Sequence, residues 1–390
     1  MDLAGLLPVV AAGVAAAAEA RRHWVCLRSI RHRIHVNGTR GKSSVVRLIA
    51  AGLRAGGLRV VAKTTGSAPR VILPDGSERD LRGRRRASLL EYRSAAALAA
   101  RLRADALVAE CMALRPESQR VAEHCLMRST VGVLTGVGLD HVGIMGDSLA
   151  EIAEVLGRTI PAGGLLLVPG PEVPPVWLAR ARAQGTVVRL VQVESGVVMP
   201  EAYREWPENV ALALAACEEV GVSREAALSG IRMASPDPGA LRIWRLREPG
   251  RQTLLIGAFG ANDPDSSRRI IERVRRESGL ADAPVVAVLN TRADRGERTL
   301  QWCEALLAGA VPASRVIVTG PHAPAAVRIL VRGGWPRQDA AAAPPRPAAI
   351  TAAAVAQRGA AVVAGLGNVR GAGAALLDYW ATVAEEIVRG

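Results

Sequence analysis

Lysine occurs at only two positions of the 390-residue chain, Lys42 and Lys63, against 50 basic residues in all. Lys42 lies inside Asn37-Gly38-Thr39-Arg40-Gly41-Lys42-Ser43-Ser44, between a short apolar run and a helical pattern. A strand, a glycine-bearing turn, Lys-Ser and then a helix make a cradle for phosphate. Gly38 and Gly41 let the main chain approach the anion, and the helix N-terminus offers unpaired N–H groups to it. In that reading Lys42 reaches the β and γ oxygens of a nucleoside triphosphate, and the Ser43 hydroxyl ligates Mg²⁺. The strict eight-residue phosphate-loop pattern fails, because Val36 stands where its first glycine belongs; the shorter form, Gly38 to Ser43, is present. The bland alternative is a strand-to-helix turn with a surface lysine. So rare a residue at this one spot weighs against it.

Two further side chains invite chemistry. Glu110 ends the apolar run 106–109 and His141 follows the run 131–134, so both belong at the carboxyl edge of a sheet, near the loop. The plainer readings are a strand-end surface carboxylate and a hydrogen-bonded turn histidine. Asn209, in Pro207-Glu208-Asn209-Val210, stands at a helix start, where asparagine also serves as a simple N-cap.

The elements that must position these groups follow from hydrophobic periodicity. Residues 33–36 read as a strand running into the loop, 45–55 as a helix with Val46, Ile49, Ala50 and Leu53 on one face, and 58–62 as a second strand. Residues 106–109 and 131–134 are runs of the buried-strand type, and alternation with helices predicts a parallel sheet. Residues 74–93, with Arg82, Arg84, Arg85 and Arg86, read as a solvated loop. Ser235-Pro236-Asp237-Pro238-Gly239 concentrates chain breakers and marks a domain boundary. Beyond it, strands are expected at 253–256, 285–289, 316–319 and 361–364, and helices at 266–276 and 374–387. The Ala/Pro-rich residues 338–350 read as a loop. The fold class is therefore α/β: an ATP-binding central domain (21–239) and a smaller, doubly wound, Rossmann-like domain (240–390), preceded by a short apolar helix (1–20).

Bulk composition narrows the function. Hydrophobic residues make up 49% and aromatic residues 3%, with Phe259 the only phenylalanine, which suits Val/Leu/Ala packing in an α/β protein. The five cysteines form no CxxC pair, which argues for reduced thiols and against a disulfide framework or zinc site. A formal charge of +14 raises nucleic-acid binding, yet the arginines are spread along the whole chain without aromatic interleaving, so no nucleic-acid partner is expected. A polyanionic carboxylate polymer would feel the same attraction. Residues 3–18 are uncharged and apolar, and Arg21, Arg22, His23, Arg28 and Arg31 follow. The run falls short of the ~20 residues a spanning helix needs. Its basic flank nevertheless predicts a membrane anchor with the rest of the chain on the cytoplasmic face, a cytoplasmic protein being the alternative.

The shorter loop resembles that of the Mur-type ligases. Further motifs are similar to the PgsB/CapB ligase subunits of poly-γ-glutamate synthases. They run from residues 36–47 through Ala62-Lys63-Thr64-Thr65-Gly66-Ser67, Glu110-Cys111-Met112-Ala113 and residues 140–146 to residues 236–242. Ala261-Asn262-Asp263, residues 290–295 and residues 365–371 complete the set in family order, over nearly the whole chain. The resemblance implies that Glu110 and His141 hold a second Mg²⁺ and that Asn209 contacts the nucleotide base. It implies that Arg242 is brought to the γ-phosphate by the second domain, and that Asn262, Asp263, Asp294 and Arg295 line its cleft. Lys42, Glu110, His141 and Arg242 are then the catalytic set. Residues 38–44 (Gly38, Thr39, Arg40, Gly41, Lys42, Ser43, Ser44), Asn209, Arg242, Asn262, Asp263 and Asp294 bind ATP, and Ser43, Glu110 and His141 bind metal.

Two departures from the wider Mur family stand out. No lysine follows Lys63, so the carbamylated lysine that helps hold the second metal in many members is absent. Phe259 stands where the wider family's second-domain motif begins with an acidic residue. A domain gripping a UDP-sugar is also not expected before the loop. The implied reaction is ATP-dependent amide formation: phosphorylation of a chain-terminal carboxylate, then attack on the acyl-phosphate by the amine of an amino acid, by resemblance glutamate. The growing anionic polymer is the second substrate, and membrane subunits of the PgsC/CapC and PgsA/CapA kind are the implied partners; a homo-oligomer is compatible. The rival readings are a folylpolyglutamate synthase-like ligase, a non-ligase P-loop NTPase and a basic polyanion-binding module.

Overall fold

A computed structural model of the chain describes residues 3–65, 69–80, 88–139, 143–194, 199–200, 205–237, 239–248, 251–261, 263–356 and 362–387. The chain divides into two compact units, Met1–Pro200 with Trp206–Ser235, and Glu201–Glu205 with Pro236–Gly390; the main changeover falls between Ser235 and Pro236, inside the breaker cluster.

The first unit runs α1 (Leu3–Arg28), β1 (His32–Asn37), α2 (Lys42–Ala55), β2 (Val60–Thr64), β3 (Arg70–Ile72), β4 (Glu78–Asp80), α3 (Leu90–Arg101) and β5 (Ala106–Glu110). It continues with α4 (Pro116–Val121, extended by a π-helical turn, Ala122–Met127), β6 (Val131–Leu134), α5 (Leu149–Leu156), β7 (Gly164–Pro169), α6 (Pro175–Ala183), β8 (Thr186–Val191), α7 (Pro207–Glu219) and α8 (Arg224–Arg232). The strands form an 8-stranded sheet in the order β4-β3-β2-β5-β1-β6-β7-β8. All neighbours from β2 to β8 are parallel, while β3 and β4 are added antiparallel. Because β1 lies between β5 and β6, the loop that follows it opens at the carboxyl edge beside the end of β5, the position where such sheets bind ligands.

Helix α2 is buried over most of its surface, more than a single amphipathic face requires. The sheet covers one side, and α7 and α8 contribute Leu212, Ala213, Ala216, Ala227 and Ile231 to the same core. Even Arg47 is buried, and its guanidinium pairs with Glu78 of β4. That pair helps explain why part of the segment read as a solvated loop is instead structured: residues 78–80 form β4 and α3 begins at Leu90. Arg82, Arg84, Arg85 and Arg86 lie outside the described residues.

The apolar run at the N-terminus belongs to the 26-residue helix α1, which continues past residue 20 to Arg28. Its last turns pack on the sheet face that carries α3: Leu27 is buried, His23 Nε2 lies 2.9 Å from the Leu126 carbonyl oxygen, and Glu19 pairs with Arg93 at 2.7 Å. Val10 and Val14 are exposed. Among the described residues, no helix is long and apolar enough to cross a membrane.

In the second unit β9 (Arg242–Glu248), β10 (Arg251–Gly257), α9 (Pro264–Glu277), β11 (Val285–Asn290), α10 (Gly296–Leu307) and β12 (Arg315–Thr319) are followed by α11 (Ala323–Arg332) and β13 (Ala340–Ala342). Then come α12 (Pro347–Val355), β14 (Val362–Gly367), α13 (Ala372–Val383) and β15 (Glu385–Glu386). The 7-stranded sheet has the order β13-β12-β11-β14-β10-β9-β15, parallel from β13 to β10 and antiparallel at β9 and β15. Two sequence expectations change here. Residues 338–350 contain β13 and the start of α12 rather than one loop, because their alanines fit an edge strand and a helix equally well. The terminal helix stops at Val383, and Glu385 and Glu386 pair with β9 instead of extending it. Phe259 is fully buried, with its ring stacked on Trp380 at 6.2 Å.

Candidate active site

The phosphate loop is held open by its neighbours rather than by its own side chains alone. Asn37, the last residue of β1, donates from Nδ2 to Gln119 Oε1 (2.8 Å) and Thr159 Oγ1 (3.0 Å), and its Oδ1 accepts the Gly38 N–H at 2.8 Å. Thr135, just after β6, donates its N–H to the Asn37 carbonyl at 2.9 Å, and its hydroxyl bonds the Arg40 carbonyl. Thr39 donates its N–H to the Gly136 carbonyl at 3.2 Å. The two glycines are obligatory for a steric reason. Gly38 (φ 135) and Gly41 (φ 81) adopt left-handed conformations, and a Cβ at either would collide, with Thr135 in the first case and with the Asn209 side chain in the second. A single contact thus places Asn209 against the loop. Asn209 is buried in the first turn of α7, but the N-cap position is Trp206, so the simple capping role does not apply.

Lys42 opens α2, a 14-residue helix without an acidic residue in its first turn. Its ammonium donates to the Gly38 carbonyl at 2.6 Å and the Thr39 carbonyl at 3.3 Å, which keeps the charge over the loop. Next to it Ser43 donates its hydroxyl to Glu110 Oε2 at 2.8 Å, and the same oxygen accepts the Thr65 N–H at 2.6 Å. Glu110 is only 3% exposed. The structure therefore joins the phosphate loop, the end of β5 and the end of β2 through one carboxylate.

These residues fit a nucleotide with a hard cation. The left-handed glycines let the loop main chain pass closely against Thr135 and Asn209, with no side chain of its own at either position, and Ser43 and Glu110 present two hard oxygen donors side by side. Among the described residues no group of three or more His, Cys, Asp or Glu side chains converges on a metal position. A small cation that keeps waters and phosphate oxygens in its shell needs no such group, and Mg²⁺ behaves in this way. His141 lies outside the described residues, as does Asn262.

The second-unit residues are placed differently. Arg242 opens β9, and its guanidinium grips Glu386 through two bonds, Nε to Oε1 at 2.7 Å and Nη2 to Oε2 at 2.6 Å, while lying 4.9 Å from the Trp244 ring. Hydrogen bonding to Glu386 raises the guanidinium pKa above its ordinary value. Asp263 caps α9 by accepting the Ser266 N–H at 2.8 Å. Asp294 follows β11 and pairs with Arg292 at 2.7 Å; Arg295 stands at the N-cap of α10.

Several supporting residues carried no sequence signal. Gln119, Thr159 and Thr135 meet the loop only through the sheet order. A buried chain formed by His35, Glu123 and Tyr92 ends on Glu110, with His35 Nδ1 2.7 Å from Glu123 Oε2, His35 Nε2 2.8 Å from the Tyr92 hydroxyl, and that hydroxyl 3.2 Å from the Glu110 carbonyl oxygen.

Comparison with known proteins supplies the family. A model of the poly-gamma-glutamate synthase CapB C-terminal domain matches residues 243–383. The capsule biosynthesis protein CapB of Bacillus anthracis is 33% identical over 326 residues, covering 82% of this chain and 70% of that protein. The PGA synthase CapB of Bacillus subtilis is 32% identical over 323 residues, 82% of each. Among solved structures, a bifunctional folylpolyglutamate synthase/dihydrofolate synthase from Yersinia pestis, complexed with AMPPNP and Mn, is similar with a TM-score of 0.69 at 19% identity over 92% of both chains. The folylpolyglutamate synthase of Mycobacterium tuberculosis, complexed with ADP and AMPPCP, gives 0.70 at 19% identity over 93% of this chain and 94% of that one. At such identities the likeness establishes the fold alone, the two-domain α/β fold of these folylpolyglutamate synthases. With 33% and 32% of residues shared with two CapB proteins across 82% of its length, the chain belongs to the poly-gamma-glutamate synthase CapB family.

Proposed function

We propose that this chain is an ATP-dependent ligase that forms amide bonds, adding glutamate to the terminal carboxylate of a growing poly-γ-glutamate chain. Within the family, the observation that carries this reading is the Ser43–Glu110 pair at the mouth of the phosphate loop. It brings together a hydroxyl and a carboxylate, two hard oxygen donors that would hold Mg²⁺ and so supply charge neutralisation beside the phosphate loop.

The chemistry follows from charge. A carboxylate oxygen attacks the γ-phosphorus of ATP, ADP leaves, and the amine of the incoming amino acid then displaces phosphate from the acyl carbon, losing a proton. Each step concentrates negative charge, so positioning and electrostatic stabilisation dominate. The main-chain N–H groups of residues 38–44 cradle the phosphates, and Lys42 reaches their outer oxygens. Ser43 and Glu110 would hold Mg²⁺, which offsets charge on the transferred group, with His141 as an additional ligand. Asn209 contacts the base. In the second unit Arg242 serves the γ-phosphate, and Asn262, Asp263 and Asp294 line the cleft. ADP release measured with and without individual amino acids, followed by mass analysis of the product, tests the reading. Amino-acid-independent hydrolysis with no polymer would replace it with a plain NTPase.

A finer reading concerns place. The exposed Val10 and Val14 of α1, with Arg21, Arg22 and Arg28 on its last turns, support attachment at the cytoplasmic face beside membrane subunits of the PgsC/CapC and PgsA/CapA kind. Fractionation of the full-length chain, co-expressed with such subunits, checks it; a wholly soluble protein removes it.

A further inference from the structure

Behind Glu110, on the opposite face of the sheet from α2, lies a buried polar chain, next to the Lys63–Glu91 ion pair at 3.3 Å. Tyr92 and Ala109 belong to the hydrophobic cluster on the α3 side, whereas the Glu110 carboxylate turns towards Ser43 of α2. His35 sits on β1, opposite Ala109 of β5 and Gly132 of β6. Its partner Glu123 comes from the π-helical turn, a distortion that frequently marks functional positions. Glu123 Oε2 takes the His35 Nδ1 contact, and Oε1 accepts both the N–H and the hydroxyl of Ser129 at 2.8 Å. The side chains of His35 and Glu123 are 0% and 1% exposed.

The Cys111 thiol also lies within hydrogen-bond reach of His35 and Tyr92, and the directions along the chain follow from the Tyr92 hydroxyl donating to Glu110. The Glu110 carbonyl can only accept, so the single Tyr92 hydroxyl proton goes to it. Tyr92 must then accept from His35 Nε2–H, and the Glu123 carboxylate accepts Nδ1–H. Both ring nitrogens donate, which makes His35 an imidazolium paired with a buried carboxylate. We propose that the Glu123–His35–Tyr92 chain positions Glu110, fixing from behind the main chain of the residue whose carboxylate holds the cation; this rests on the metal role proposed above for Glu110. Burial alone would disfavour charge on the ring, but hydrogen bonds with Cys111 and Glu123 outweigh it and raise its pKa to about 9, in agreement with the bond directions. A buried ion pair is an inefficient source of stability compared with packed apolar side chains. What it supplies here is direction: a donor aimed at one main-chain carbonyl at the strand end.

The test uses the full chain and reads ligase rate against Mg²⁺ concentration at saturating ATP and amino acid. Tyr92→Phe keeps the ring and its contact with Lys63 but removes the bond to Glu110. It should raise the half-saturating Mg²⁺ and lower kcat by about tenfold, the size typical of groups that orient metal ligands, with nucleotide affinity nearly unchanged. Glu123→Leu should act in the same direction. Glu123→Gln should recover most of the loss, because its amide can donate to Nδ1 of a neutral ring that still donates to Tyr92. A purely structural role would lower melting temperature in all three variants and leave the Mg²⁺ curve in place, which overturns the proposal. Glu110→Ala serves as the reference. If it leaves the Mg²⁺ curve unmoved, the metal reading falls and the proposal with it. If it shifts the curve while Tyr92→Phe and Glu123→Leu do not, the positioning chain alone is wrong.

Discussion

The phosphate loop of the first unit and the carboxyl edge of the second are the two places to which the family resemblance points for ATP, yet they are built differently. In the loop, groups from four strand ends converge: the Asn37 side chain accepts the Gly38 N–H, the Thr135 hydroxyl donates to the Asn37 carbonyl, and the Glu110 carboxylate accepts from the Ser43 hydroxyl and the Thr65 N–H. In the second unit Arg242, Asp263 and Asp294 each have a partner within that unit. Arg242 holds Glu386, Asp263 caps α9, and Asp294 pairs with Arg292. The contrast is between a loop tied to several strand ends and second-unit residues whose polar groups are already engaged, so under the proposed function those residues would exchange a partner to take part. An arginine gripped by a carboxylate in two parallel bonds is well oriented. Being partly exposed, the pair is also weak enough to yield to a phosphate.

If the loop is the half tied to several strand ends, damage there should be the most severe. Lys42→Ala should cost about 10³-fold in ATP turnover, the upper range for one preorganised charge at a transition state, with an unchanged melting curve because the side chain bonds only loop carbonyls. A folded Lys42→Ala protein with full turnover would erase the contrast altogether. Glu110→Ala should lower the ligase rate by roughly 10²-fold and raise the Mg²⁺ requirement while ATP affinity falls less. Equilibrium nucleotide binding beside a Mg²⁺ titration separates the two effects.

The second unit should respond more gently. Arg242→Ala should reduce kcat by about tenfold, and Glu386→Gln, which loosens the grip on Arg242, should change it within about fivefold, the range of a partly exposed ion pair. Equal and large losses in both variants would mean that the pair is an architectural clasp between β9 and β15.

The smallest effect should be on stability. His35 has a folded pKa of about 9 against an ordinary 6.5, so the folded state binds its proton more tightly. The resulting stabilisation is complete below pH 6.5 and is lost as pH rises through 9. Cys111, whose thiol His35 holds below its ordinary value against the opposing effect of burial, works in the opposite sense and reduces the net change. Melting temperatures across this range should fall for the wild type and stay flatter for Glu123→Gln.

Much of this protein is local and therefore readable in the chain itself. Asn37 to Ser44 declares a strand, a glycine turn and a helix within a few residues, and the apolar runs that became β5, β6, β11, β12 and β14 are short and continuous enough to be strands on composition alone. The order of motifs also carried the family resemblance. Elements without a local signature were illegible. The charged segment ending in β4 is a strand because Glu78 meets Arg47, and Glu385 and Glu386 form one because they meet β9. Site partners were hidden for the same reason. Ser43 and Glu110 are 67 residues apart, His35 and Glu123 are 88 apart, and Arg242 and Glu386 are 144 apart. Sequence determined which groups could do chemistry, because residue type and turn geometry are written in neighbouring residues. Which partner each group holds was decided only by the tertiary structure, because strand order and helix packing bring together residues that no periodicity relates.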